Sequence, residues 1–165
     1  MKTGIAILVV SESSLQLSLT IAKHLPGSNL YSSFESIFTD TIPSIATFLK
    51  EHFNRFEAFV FVGSLGICVR SIAPFITDKH TDPAIVNIDS TGKYIVSVLS
   101  GHIGGANSLT KQIARITGGQ AVITTQSDNT DLWALDTLGK TYQWKETVHN
   151  ATMNKLIASF VNKNP

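Results

Sequence analysis

The chain has 165 residues, of which 43% are hydrophobic and 15% charged, and its net charge is +1. That length fits one domain with its own core, and the scattered Lys and Arg form no basic stripe of the kind that binds nucleic acid. One cysteine, Cys68, excludes an internal disulfide framework and fits a reducing cytoplasm.

Ile5 to Val10 is a continuous β-branched apolar run, the pattern of a strand buried on both faces. It is too short to span a bilayer. Ser11-Glu-Ser-Ser14 reads as a helix start rather than a cleavage site, so no targeting segment is expected and the protein is read as cytoplasmic, with no membrane partner. Leu15, Leu19, Ala22 and Leu25 share one helical face, and Pro26-Gly27 ends that helix. A short strand follows at Asn29 to Ser32. Thr41 is the expected cap of the next helix, with Pro43 in its first turn and Ile42, Ile45, Leu49 and Phe53 on its apolar face. Ala58 to Val62 reads as a third buried strand, followed by Gly63-Ser-Leu-Gly66 and a short helix that ends before Pro74.

Ala84 to Asp89 and Tyr94 to Leu99 read as paired strands joined by the turn Asp89-Ser-Thr-Gly-Lys93. After the glycine-rich turn Ser100-Gly-His-Ile-Gly-Gly-Ala-Asn107, Ala106, Leu109, Ile113 and Ile116 mark a helix that Gly118-Gly119 closes. Gln120 to Thr125 reads as a strand, Leu132 to Leu138 as a short helix and Thr147 to Val161 as a last helix. Alternating strands and helices predict a three-layer α/β/α domain. Its sheet is expected to be mostly parallel and doubly wound, Rossmann-like, with a local β-hairpin.

Ligands of such sheets bind beyond the carboxyl ends of the strands. Gly63 to Gly66, Ser100 to Asn107 and Thr124 to Asp128 each leave a strand end, and all three are expected on one rim. Gly101, Gly104 and Gly105 clear side chains from a strand-to-helix turn whose N–H groups attract anions and carbonyl oxygens. A turn that is tight only for packing is the alternative. The spacing is neither G-x-G-x-x-G nor a P-loop, so dinucleotide and nucleotide sites are poorly supported. His102, between glycines, has the chemistry of a general acid or base, or that of a hydrogen-bonded turn residue. Ser64 and Ser100 lack the nucleophile-elbow context. Cys68 reads as a buried, inert thiol. Arg70 suits a carboxylate clamp or a surface ion pair. Asp78, Lys79 and Asp82 cluster in the loop before Pro83, and Asp128 reads as a turn cap. No His, Cys or carboxylate pair has a metal-ligand spacing.

Taken together, the strings Gly66-Ile-Cys-Val-Arg-Ser-Ile-Ala-Pro74, Asp78-Lys79, Thr81-Asp-Pro-Ala84, Ser100-Gly-His-Ile-Gly-Gly-Ala-Asn107 and Val122-Ile-Thr-Thr125 with Asp128 resemble the N-terminal domain of CbiG, the cobalt-precorrin-5A hydrolases of anaerobic cobalamin synthesis. The resemblance is strong over Ala58 to Asp131. Leu65 stands where the family usually has threonine, and Thr125-Gln-Ser-Asp128 replaces a T-x-T-D pattern. The resemblance implies one N-terminal-type domain over 1–165, without the family's C-terminal domain. It implies hydrolysis of a cobalt-precorrin, with δ-lactone opening and loss of acetaldehyde. No cofactor is expected, because cobalt arrives with the substrate, and no metal site. His102 is the expected catalytic residue. Ser64, Gly66, Arg70, Asp78, Lys79, Asp82, Ser100, Gly101, Gly104, Gly105, Asn107, Thr124, Thr125 and Asp128 are the expected substrate-binding residues. Gly104 and Gly105 would offer N–H groups to the oxyanion, and Arg70 and Lys79 would hold peripheral carboxylates. The expected partners are the tetrapyrrole, the C-terminal CbiG domain or other cobalamin-pathway domains, and a second copy as a homodimer. A corrinoid-binding module without activity of its own is the alternative.

Overall fold

A computed structural model describes residues 2–125, 135, 142–144 and 150–163. The elements run β1 (Ile5–Val9), α1 (Leu15–His24), β2 (Ser28–Ser32), β3 (Asp40–Thr41), α2 (Ile45–His52), β4 (Ala58–Val62), α3 (Leu65–Ile72), β5 (Ala84–Ile88), β6 (Tyr94–Leu99), α4 (Ala106–Thr117), β7 (Gln120–Val122) and α5 (Asn150–Lys163). The chain forms two compact units, Met1–Val122 and Ile123–Pro165. The first contains the whole sheet and the second contains α5.

The sheet has seven strands in the order β3-β2-β1-β4-β5-β6-β7. β1 to β5 are mutually parallel, as expected for strands joined by crossover helices. β4 lies at the centre and is buried on both faces. Its alternating side chains feed two cores. Ala58, Val60 and Val62 join Ile7, Val86 and Ile88 under Ile21 of α1 and Leu109 and Ile113 of α4. Phe59 and Phe61 join Ala6, Leu8 and Ile85 under Phe48 and Leu49 of α2 and Cys68 and Ile72 of α3. Period-two strands between helices thus produce the expected three layers.

The expected β5–β6 hairpin is present and antiparallel. Its turn is closed by the Asp89 carboxylate, which accepts hydrogen bonds from the Thr91 hydroxyl, Thr91 N–H (2.8 Å) and Tyr94 N–H (2.5 Å). Partial burial pushes the Asp89 pKa up, but hydrogen bonds from the Thr91 hydroxyl and from the N–H groups of Tyr94, Thr91 and Lys93 outweigh it and lower the pKa below the usual value. A carboxyl with a depressed folded pKa stabilises the fold above its unfolded pKa, and this contribution is lost as pH falls through the folded value. Asp89→Asn is therefore expected to lower stability at neutral pH by about 1 kcal/mol or less, since solvent reaches the turn. Urea unfolding of both proteins across pH should show the gap closing below the Asp89 pKa.

The start of α2 and the end of the last strand differ from the sequence reading. Ser44, not Thr41, caps α2, its hydroxyl accepting from Thr47 N–H at 3.1 Å. Thr41 instead lies in the two-residue edge strand β3, and Pro43 precedes the helix. The last strand ends at Val122 rather than Thr125. The expected helix at 132–138 lies outside the described residues apart from Leu135, and α5 is described from Asn150 onward.

Candidate functional site

The glycine-rich turn begins at a β-bulge. Ile85 faces Leu99, but Val86 faces Ser97, so β6 carries one extra residue at its carboxyl end. As a result, consecutive Val98 and Leu99 both pack on the core under α2 and α3. Bulges of this kind re-aim the residues that follow. Ser97 stays on the α4 side, and its hydroxyl donates to Asn107 Oδ1 at 2.7 Å.

Ser100 then adopts a left-handed conformation, φ 57°, uncommon for a side chain with a β-carbon. Backbone bonds close the turn around it. Ala106 N–H donates to Ser100 O (3.2 Å), Asn107 N–H to Gly101 O (3.0 Å) and Gly105 N–H to His102 O (3.1 Å). A β-carbon on Gly104 would lie 2.5 Å from Ser100 Cβ, and Gly105 has φ 89° at the mouth of α4. Both positions therefore need glycine. The structure corrects one expectation here: the Gly105 N–H is already engaged by His102 O. Gly104 N–H makes no backbone hydrogen bond among the described residues, so it is one donor the turn can offer. His102 is half-buried at the tip.

The loop before β5 meets this turn. Ser100 Oγ donates to Asp82 O at 3.2 Å. Asp82 is 4% exposed, and its carboxylate accepts Thr77 N–H (3.2 and 3.0 Å) and the Thr77 hydroxyl (2.8 Å). Asp82 N–H donates to Asp78 O (2.8 Å), and Asp78 Oδ1 accepts His80 N–H (2.7 Å). Lys79 is exposed on the same loop. Asp78, Lys79, Asp82, Ser100, Gly101, His102, Gly104, Gly105 and Asn107 are thus brought to one edge of the sheet.

Ser64, Gly66 and Arg70 are not at that edge. The carboxyl end of β4 pairs with the carboxyl end of β5, Val62 opposite Ile88. The carboxyl end of β6 pairs with the amino end of β5, Leu99 opposite Ile85. The segments after β4 and β6 therefore leave opposite edges, separated by the length of a five-residue strand, about 16 Å. The single-rim expectation is overturned by the direction reversal of the hairpin. Ser64 caps α3 without a side-chain hydrogen bond. The Arg70 guanidinium folds back toward this end, Nη1 standing 3.3 Å from where a β-carbon on Gly66 would be. This is the edge where the chain winds from β1 to one side and from β4 to the other. Ser11 shares it, its hydroxyl bonded to those of Ser13 (2.9 Å) and Ser14 (3.0 Å).

Cys68 is fully buried, and burial pushes its thiol up to about 12, so it is not a thiolate at neutral pH. Thr124 and Thr125 belong to the second unit, which begins at Ile123, and Asp128 lies outside the described residues. Among the described residues no group of three or more His, Cys, Asp and Glu is placed to hold a metal ion. No helix described is long and apolar enough to cross a membrane. Thr77 and Ser97, which anchor the site's loops, were not singled out from the sequence. A hydroxyl five residues before an aspartate, or two before a strand end, has no distinctive spacing.

These features define a doubly wound α/β domain with a histidine-bearing turn on the edge reached by its reversed strand. Residues 47–128 match the family described as cobalamin synthesis G N-terminal. The chain is 47% identical over 89 residues to a cobalt-precorrin-5A hydrolase of Salmonella typhimurium, covering 54% of this chain and 25% of that protein. It is 43% identical over 121 residues to a cobalt-precorrin-5A hydrolase of Priestia megaterium, covering 73% of this chain and 32% of that protein. A solved structure described as a cobalamin biosynthesis protein G homologue from Sulfolobus solfataricus superimposes with a TM-score of 0.60 at 22% identity, over 96% of this chain and 46% of that one. This last likeness bears on the fold. The chain belongs to the CbiG N-terminal family and spans about a quarter to a third of the length of the curated relatives it matches.

Proposed function

We propose that this chain supplies the N-terminal domain of a cobalt-precorrin-5A hydrolase. Its reaction opens the substrate's δ-lactone with water and releases acetaldehyde, and cobalt enters as part of the substrate. The observation that carries this reading is His102, half-buried at the tip of a turn whose shape is fixed by backbone bonds, beside the Gly104 N–H. His102 takes a proton from the attacking water and returns it to the alkoxide that leaves. Negative charge develops on the lactone carbonyl oxygen, and Gly104 N–H is a donor of the turn that suits it. Lys79, at the same edge, suits a peripheral carboxylate. Thr124, Thr125 and Asp128 remain candidate substrate contacts from the segment after β7.

A second reading is a corrinoid-binding module that needs another domain for chemistry. The separation of Arg70 from His102 favours it, because one of the two cations expected to hold carboxylates lies at the far edge. Exposed Leu65 (42%) and Val69 (45%), four residues apart on α3, give an apolar strip for such a partner. That partner is the family's C-terminal domain, another cobalamin-pathway domain or a second copy. Its setting is the cytoplasm, in keeping with one buried, unpaired cysteine. Incubation with cobalt-precorrin-5A separates the readings. Acetaldehyde release by this chain supports the first. Binding without release supports the second, and neither binding nor release would remove both.

A further inference from the structure

We propose that Thr77 and Asp82 form a positioning clasp that acts through Ser100 on the turn carrying His102, and that Asp82 is not a substrate ligand. The inference rests on the reading that this turn is the working site. Asp82 has little left to offer a ligand. It is 4% exposed, and both carboxylate oxygens are taken up by the N–H and hydroxyl of Thr77. A second negative charge facing a carboxylate-fringed substrate would also repel it. What Asp82 does present toward the turn is its backbone carbonyl, which receives the Ser100 hydroxyl at 3.2 Å.

Ser100 is the residue most in need of such a hold. Its φ of 57° is strained for a non-glycine residue, a state that persists only where surrounding structure enforces it. Three contacts converge on it. The Asp82 carbonyl accepts its hydroxyl, Ala106 N–H donates to its carbonyl (3.2 Å), and Gly104 closes over its β-carbon. The bulge at Ile85 and Val86 sets the direction from which Ser100 arrives. The clasp therefore ties the start of β5 to the end of β6, and His102 lies two residues beyond the tie. Thr77 and Asp82 reach the reacting atoms only through this link, which makes them positioning residues.

The test uses the full chain with Thr77→Val, Thr77→Ser and Ser100→Ala. Amide hydrogen exchange at Gly105, Ala106 and Asn107, the hydrogen-bonded amides of the turn, is measured together with the ring-proton shifts of His102. Thr77→Val is expected to speed exchange in the turn roughly fivefold to tenfold, the worth of about one net hydrogen bond, and to move the His102 ring signals. Thr77→Ser should restore both. Ser100→Ala should loosen the turn equally while leaving the Thr77 amide protected. A turn unchanged in Thr77→Val, with only residues 77–82 loosened, overturns the clasp. If Thr77→Val does not fold, an unchanged turn in Ser100→Ala overturns it alone.

Kinetics with cobalt-precorrin-5A provide the second readout. The clasp predicts a fall in kcat with KM held for Thr77→Val, and rescue by Thr77→Ser. A rise in KM for Asp82→Asn with Thr77→Val silent would make Asp82 a substrate ligand and overturn the proposal. If neither this chain nor this chain with its partner domain turns the substrate over, the proposed function fails on its own, and the exchange results still decide the clasp.

Discussion

Phe59→Ala is expected to remove about 3–5 kcal/mol of stability, the range for truncating a fully buried aromatic residue. Phe59 lies on the central strand with no solvent exposure. Its ring stacks on Phe53 at 5.8 Å with an interplanar angle of 14°, and meets Phe56 edge-on at 5.4 Å. Both partners come from the segment that carries α2 into β4, so the cavity would open between sheet and helix, where backbone on both sides resists collapse. Against a typical total of about 5–15 kcal/mol, such a loss brings the domain close to unfolding at ambient temperature. Ile37→Ala is the control. Ile37 is 93% exposed and should change stability by about 0.5 kcal/mol or less. Guanidinium unfolding monitored by far-UV circular dichroism measures both. A Phe59→Ala loss near that of Ile37→Ala would mean that the second core does not support the sheet as described.

The central strand Ala58–Val62 was legible to the residue because burial on both faces gives a continuous apolar run. Tyr94–Leu99, only half-buried, was legible to the residue through the hairpin turn before it. Helix starts were less legible where two capping residues compete. Thr41 and Ser44 both suit a cap, and Pro43 between them suits either frame. The choice falls to Ser44 because Thr41 is drawn into pairing with β2, opposite Ser32. Such a two-residue edge strand has no periodicity to read. The glycine turn and His102 were visible as an unusual string, but the geometry that uses the string was not. Gly105 N–H points at His102 O because residues 102–105 close a turn on themselves, and the string of residues does not announce that turn.

The grouping of the site was the largest error, and it was avoidable in physical terms. The expected hairpin at Asp89 to Lys93 already reverses the chain. The end of β6 must then point opposite to the end of β4, and the segments after them cannot share a rim. Strand direction, carried through each connection, decides which loops meet. Motif order along the chain does not.

His102→Ala is expected to lower kcat for cobalt-precorrin-5A by about 10²–10⁴-fold, the usual contribution of a positioned general acid–base, with a smaller effect on KM. The turn should survive the substitution. Gly105 N–H bonds the carbonyl of residue 102, and Ala106 and Asn107 bond Ser100 and Gly101 through backbone atoms. Loss of the ring therefore tests proton transfer rather than folding, and protection of the Gly105 amide from exchange confirms that the frame is intact. His102→Gln separates the two duties of the ring, since an amide can hydrogen-bond water but cannot take its proton. Glutamine should bind substrate nearly as the parent does and remain as slow as alanine. Acetaldehyde release is measured with this chain and with whichever partner domain turnover requires. Unchanged release in His102→Ala would move the base to another residue. Unchanged release together with weakened binding would leave the turn as a corrinoid cradle, with the chemistry supplied by the partner.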